Sequence, residues 1–175
     1  MHPFRTLFPV LFAAVFSQSA VPPKPITIND DGAWCWFQDE RAAVLAGTLI
    51  TGSIAAGVRD AARRGDVEAV TYEFATGRQT RSELHDRLLT SRKEYDDHNA
   101  PAFFIRPDRR VLDVYSMHGP ENRFYYRVSE PGDATRWSSE RYFIPTPNSR
   151  ITYSNLLFLA KENGGKGRLY NFYRG

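Results

Sequence analysis

The chain has 175 residues and a formal net charge of +3, with basic and acidic residues interleaved along its length. That length holds one ordinary domain with a sizeable core, and the interleaving excludes the clustered basic stripe of a nucleic-acid binder. Phe, Tyr and Trp make up 14% of the residues, glycine and proline are plentiful and helical periodicity is scarce, which favours an all-β fold.

Residues 1–20 read as a signal peptide outside the fold. Arg5 supplies a positive start, 7–16 form an apolar run broken only by Pro9, and Ser17-Gln18-Ser19-Ala20 offers small residues for cleavage. The run is too short for a stable membrane anchor, so the mature chain is expected to be secreted or periplasmic, with no membrane attachment. Residues 21–30 follow as a linker and first strand: Val21-Pro22-Pro23-Lys24-Pro25 is extended by its prolines, and Ile26-Thr27-Ile28 is a lone strand. Asn29 to Gly32 is turn chemistry. The single cysteine, Cys35, lies between Trp34 and Trp36; it has no internal disulfide partner and reads as a buried structural thiol.

Residues 31–175 carry a recurring strand pattern. The first set begins with a hairpin of 42–46 and 48–54 about Gly47, then a polar loop at 60–64. Residues 67–74 form the best alternating strand, closed by Ala75-Thr76-Gly77, and 79–89 fits a fourth strand better than a helical turn. The second set is 101–106, 111–117, 123–129 and 136–144. A third opens with 156–160 and 168–174 across the turn Asn163-Gly164-Gly165-Lys166-Gly167. First strands therefore recur about every 50 to 60 residues, the mark of four-stranded propeller blades. A sandwich is the competing architecture, but it requires no such recurrence. Two and a half blades stand against the roughly 4–8 that close a propeller, and the last strand leaves an open edge. The chain is thus expected to be an N-terminal fragment of a larger propeller.

The stretch from Asp96 to Gly119 carries the chemistry. Phe103-Phe104-Ile105 and the run from Val111 to Met117 are two strands joined by a turn at Pro107-Asp108. Such a hairpin brings its outer ends together, so His98 and His118 become neighbours at one rim of the sheet. Asp96 and Asp97 read as a solvated capping turn more readily than as a cation site. Asp39, Glu40 and Arg41 read as a structural charge cluster. Trp34, Trp36 and Tyr72 read as core aromatics that could alternatively stack on sugar rings. His2 and His85 are given no functional role.

Five stretches together resemble the BNR-repeat-containing, sialidase-like propeller family, in the branch that includes ulvan-type polysaccharide lyases. They are Trp34-Cys35-Trp36-Phe37-Gln38-Asp39-Glu40-Arg41-Ala42, Asp96-Asp97-His98-Asn99-Ala100-Pro101-Ala102, Tyr115-Ser116-Met117-His118-Gly119, Thr152-Tyr153-Ser154-Asn155 and Phe172-Tyr173-Arg174-Gly175. The Asp-His-Asn and Ser-x-His-Gly pair is the more specific part. One departure stands out: Ser129 to Trp137 keeps the ingredients of the family's Ser-x-Asp-x-Gly-x-Thr-Trp repeat but not their spacing, which weakens the sialidase label more than the propeller.

The resemblance implies that His98, His118, Tyr153 and Arg174 gather in the central depression of the propeller, where they would cleave a uronate-containing polysaccharide by β-elimination. Neutral imidazole is a competent base near neutral pH, so His98 or His118 is the base. Tyr153 is the acid, and Arg174 neutralises the substrate carboxylate. Asn99, Arg150 and Tyr173 are placed as substrate-binding neighbours, and Tyr170, Tyr173 and Arg150 stay as alternatives for the tyrosine and arginine roles. An acidic polysaccharide is the expected partner, with no nucleic acid. No organic cofactor is needed and no metal is assigned to these residues, while the metal content and oligomeric state of a longer protein stay open. The fragment alone is expected to be inactive. The alternatives are a sialidase-like glycoside hydrolase, which would want carboxylates at the site, and a non-catalytic carbohydrate-binding propeller.

Overall fold

The computed structural model describes residues 24–33, 35, 41–87, 96–118, 121–145 and 150–175. The signal-peptide segment, Trp34, Trp36, Asp39, Glu40 and the expected end of the fourth strand at 88–89 lie outside the described residues. Ile26 to Ile28 do not form the expected lone strand; they lie ahead of the first paired residues.

The first sheet contains β1 (Gly32–Ala33), β2 (Ala42–Leu45), β3 (Thr48–Ala55), β4 (Val67–Glu73) and β5 (Gln79–His85), all neighbours antiparallel. β1 and β2 pair with different stretches of the same edge of β3, Gly32 opposite Ala55 and Ala42 opposite Thr51. They act as one interrupted strand, so the sheet is a four-stranded blade. Leu45 lies opposite Thr48 across a two-residue turn in which Ala46 and Gly47 both have positive φ, 51° and 78°. That turn's twist matches the strands it joins, and glycine adopts such a φ without a Cβ clash. β4 alternates in sequence but not in burial: Val67 to Thr71 are all buried, and Glu68 does not face water. It is fully buried, taking two hydrogen bonds from Arg63 at 2.8 and 2.7 Å and one from Arg81 at 2.9 Å.

The second blade repeats the plan with β6 (Ala102–Ile105), β7 (Val111–Tyr115), β8 (Phe124–Glu130), β9 (Asp133–Trp137) and β10 (Arg141–Phe143). The single strand expected over 136–144 is two strands, both on the free edge of β8. The break falls where Glu140 is drawn inward to His85 and Tyr115, while Ser138 keeps contact with Val128 through its backbone and hydroxyl. β11 (Thr152–Leu159) and β12 (Arg168–Arg174) form a two-stranded hairpin that begins a third blade.

Side-chain period explains the stacking. Along β7, Val111 and Tyr115 join the large core against the first blade, with Ile50, Ile54, Val67 and Leu84. Leu112 and Val114 point the other way, to a second core with Phe124, Ile151 and Leu156. β7 is thus packed on both faces because it lies between two neighbours, as a propeller strand must. The chain is all-β, two blades and the start of a third.

Candidate functional site

The rim where the β6–β7 hairpin opens is built by local hydrogen bonding. Asp96 caps a 3-10 turn over Asp97–Asn99, its carboxylate accepting from the His98 backbone N–H at 3.1 Å. Asn99 Oδ1 accepts from the His118 backbone N–H at 2.7 Å, tying the two outer ends of the hairpin together. The register, with Ala102 opposite Val114, then stacks the rings of His98 and His118, centroids 4.3 Å apart and planes 24° apart.

A single carboxylate serves both rings. Asp96 Oδ1 lies 2.6 Å from His98 Nδ1 and Oδ2 lies 2.6 Å from His118 Nδ1; Asp97 Oδ1 is a further 3.2 Å neighbour of His98 Nδ1. Burial works against the charge on Asp96, but the His98 backbone N–H and the two imidazoles outweigh it and hold the carboxyl below its usual range. The two side chains keep access to solvent, 30% exposed for His98 and 32% for His118.

The third-blade hairpin brings the other two residues. Thr152 pairs with Arg174 and Asn155 with Phe172, so β11 carries one extra residue between these pairs. This bulge holds Tyr153 at φ 65°, and such bulges re-aim a side chain next to functional sites. The Tyr153 ring lies 5.4 Å from that of His98, with the Arg174 guanidinium carbon 5.2 Å from its centroid. Arg174 Nη2 lies 3.0 Å from His118 Nε2. The four residues singled out by resemblance therefore stand in mutual contact. Burial, together with the neighbouring Cys35, raises the Tyr153 phenol's pKa although Arg174 opposes the shift.

Asn99 also lies at the rim, 1% exposed, with its oxygen accepting from the backbone of His118, while the other candidates stand apart from the four. Arg150 is exposed. Tyr173 packs edge-on against Phe124 at 4.9 Å, on the face of β12 opposite Arg174. The Tyr170 hydroxyl donates to Glu162 at 2.6 Å. Tyr72 packs against Phe74, and Arg41 donates to the Cys35 carbonyl.

Two partners were not legible in advance. Asp96 has a role beyond a solvated turn, because its second oxygen reaches a residue 22 positions away. Cys35 is a buried thiol, as expected, but it sits against Tyr153. The short Asp-x-His spacing signals only the contact of Asp96 with His98; nothing local signals its reach to His118 or the contact of Cys35 with Tyr153. Among the described residues, Asp96, His98 and His118 form the one cluster whose donor atoms could gather on a metal ion, within 4.8 Å of one another. The Nδ1 atoms on that side already lie at hydrogen-bond distance from the carboxylate.

A two-blade sheet pattern with an imidazole–phenol–guanidinium rim defines a propeller with a polar site at one edge of its blades. Residues 51–175 match the BNR repeat-containing family, and the chain belongs to it. Among solved structures it is similar to a PL25 polysaccharide lyase, an ulvan lyase, with TM-score 0.58 and 18% identity over 82% of this chain and 33% of that one. It is also similar to the PL25 ulvan lyase bound to -[GlcA(1-4)Rha3S]-, with TM-score 0.60 and 18% identity over 84% of this chain and 34% of that one. The chain thus shares a polysaccharide-lyase fold and spans about a third of the length of those structures. No curated protein matches it.

Proposed function

We propose that this chain carries the active-site wall of a secreted or periplasmic polysaccharide lyase that cleaves a uronate-containing polysaccharide by β-elimination. The observation that carries the reading is the convergence of His98, His118, Tyr153 and Arg174, with Tyr153 held at positive φ by a bulge. A similar fold is known with a glucuronate-containing oligosaccharide bound, which supports an acidic substrate.

In the proposed reaction a neutral imidazole takes the proton α to the uronate carboxylate. The electrons of that C–H bond form the new C=C bond, and the C–O bond to the glycosidic oxygen in the β position breaks. The Tyr153 phenol, kept protonated by its raised pKa, delivers a proton to the leaving oxygen. Arg174 is permanently charged and suited to bind the carboxylate whose charge grows as the α proton leaves. No redox step or organic cofactor enters the balance. A hydrolase would need a carboxylic acid at the centre, whereas Asp96 is held ionised between two imidazoles.

The test is ultraviolet detection of the unsaturated uronate on glucuronate-containing polysaccharides. We expect product from the full-length protein and its loss in His98→Ala and Arg174→Ala. New reducing ends without unsaturation would replace the lyase with a hydrolase. Sugar binding that persists without product, and without these side chains, would make the chain a binding propeller.

A further inference from the structure

The contacts of Asp96 determine more than the position of two rings. A carboxylate has only lone pairs to offer, so an imidazole nitrogen at 2.6 Å from it must carry the proton. Both His98 and His118 meet Asp96 through Nδ1, one at each oxygen, and Asp97 adds a second acceptor to the His98 nitrogen. Both rings are then Nδ1–H, and in each neutral ring Nε2 holds the lone pair. A guanidinium, in turn, can only donate. Arg174 Nη2 at 3.0 Å from His118 Nε2 therefore requires that Nε2 be the acceptor and that His118 be neutral.

We propose that Asp96 is a positioning residue that sets the Nδ1–H tautomer of both histidines, so that His118 accepts from and orients Arg174 while His98 serves as the proton acceptor. The assignment rests on the lyase reading for its chemistry, but the tautomers follow from geometry alone. His118 could become the base only by releasing Arg174 and placing an imidazolium beside a guanidinium, within reach of the charge that Arg174 is there to supply. One carboxylate thus fixes both rings in the same tautomer, much as a buried aspartate fixes the imidazole of a catalytic triad, and the contact with Arg174 then tells the two histidines apart.

Asp96→Asn separates this role from packing. Asparagine is nearly isosteric but offers one acceptor oxygen and one donor NH2. The Oδ1 side accepts from both the His98 backbone N–H and His98 Nδ1, so the amide oxygen takes that side and the NH2 faces His118. His118 must then present a lone pair at Nδ1 and move its proton to Nε2, where an N–H faces the N–H of Arg174 and the guanidinium is displaced. The experiment is 15N NMR of histidine-labelled full-length protein at about pH 8, where free imidazole is neutral, with His98→Gln and His118→Gln used to assign the signals. We expect Nδ1–H for both rings in the wild type and Nε2–H for one of them in Asp96→Asn. Turnover should fall by at least about 100-fold with KM little changed, in the range seen when an orienting partner of a functional histidine is removed. Nε2–H in either wild-type ring overturns the proposal, as does an Asp96→Asn protein with both tautomers and turnover unchanged. Wild-type protein with both Nδ1–H tautomers but no elimination on any uronate polysaccharide would sink the lyase reading and leave the tautomer assignment standing.

Discussion

Tyr153 combines two features that rarely meet in one residue: it is 9% exposed and its φ is 65°. A left-handed backbone costs a side-chain-bearing residue about 1–2 kcal/mol, and such strain persists only where the surroundings over-determine it. Here the bulge in β11 imposes the backbone, and the ring is held by His98 and Arg174. Glycine at this position would relax the backbone but remove the ring and the hydroxyl. Tyr153→Phe isolates the hydroxyl, since it removes that group alone and leaves the ring its contacts with His98 and Arg174. General acids contribute about 100- to 10,000-fold to rate. Tyr153→Phe is therefore expected to lower kcat by that range while the thermal midpoint stays nearly constant and KM moves little. Steady-state kinetics beside a thermal melt is the measurement; wild-type turnover in the variant would remove the phenol from the reaction.

The strand that supports the rim from behind is β3, which meets the second blade through Ile50 and Ile54 in the shared core and, nearest the rim, through Gly52. A Cβ there would meet Pro101 Cγ at 2.5 Å and Phe103 Cε2 at 2.9 Å, and Pro101 follows directly on the turn that carries His98 and Asn99. Gly52→Ala must push the proline or the ring away, and overpacking of this kind costs about 1–3 kcal/mol. Denaturant unfolding should show that loss. The displaced turn should also lower elimination activity more than the same loss of stability placed far from the rim; activity equal to that of such a control would disconnect β3 from the site. Gly52 also illustrates what a sequence hides. Strands β2 to β8 were legible because a two-residue period and turn residues are local signals, and the meeting of His98 with His118 follows from a hairpin with one register. The bulge at Tyr153, the reach of Asp96 to His118 and the break between β9 and β10 are set by residues distant in the chain, so no local pattern announces them. The carriage of Tyr153 and Arg174 to the same rim was legible only through resemblance, because it depends on how the third hairpin stacks on the second blade.

At the scale of the whole molecule, the interface between the first two blades contains a buried polar network inside an otherwise apolar core. The Tyr115 hydroxyl donates its one hydrogen between two acceptors, the Leu84 carbonyl at 2.9 Å and the carboxylate of Glu140, which also meets His85 Nδ1 at 2.6 Å. The Arg127 guanidinium donates to the Leu84 and Ser138 carbonyls, and its backbone N–H donates to Asp113. Asp113 is fully buried and its second oxygen has no hydrogen-bond partner among the described residues. Burial pushes its pKa up to about 8, against the pull of the Arg127 N–H and charge and with a push from Glu140. The folded protein therefore keeps this proton until about pH 8, whereas the unfolded chain releases it near the ordinary value of 3.8. The stability Asp113 contributes is complete below 3.8 and declines through the folded value of about 8, at up to about 1.4 kcal/mol per pH unit. Asp113→Asn cannot ionise and can still accept from the Arg127 N–H. The variant should match the wild type most closely in mild acid and become progressively the more stable of the two toward pH 8. Thermal midpoints of both proteins, taken at unit steps across this interval, isolate Asp113 because the other titrating groups are common to both. A difference that does not change with pH would mean that Asp113 is ionised in the folded state, with Arg127 stabilising its charge enough to offset burial; a widening difference would place the uncharged acid at the blade interface and make that interface, not the solvent-facing rim, the origin of a loss of stability between 3.8 and about 8.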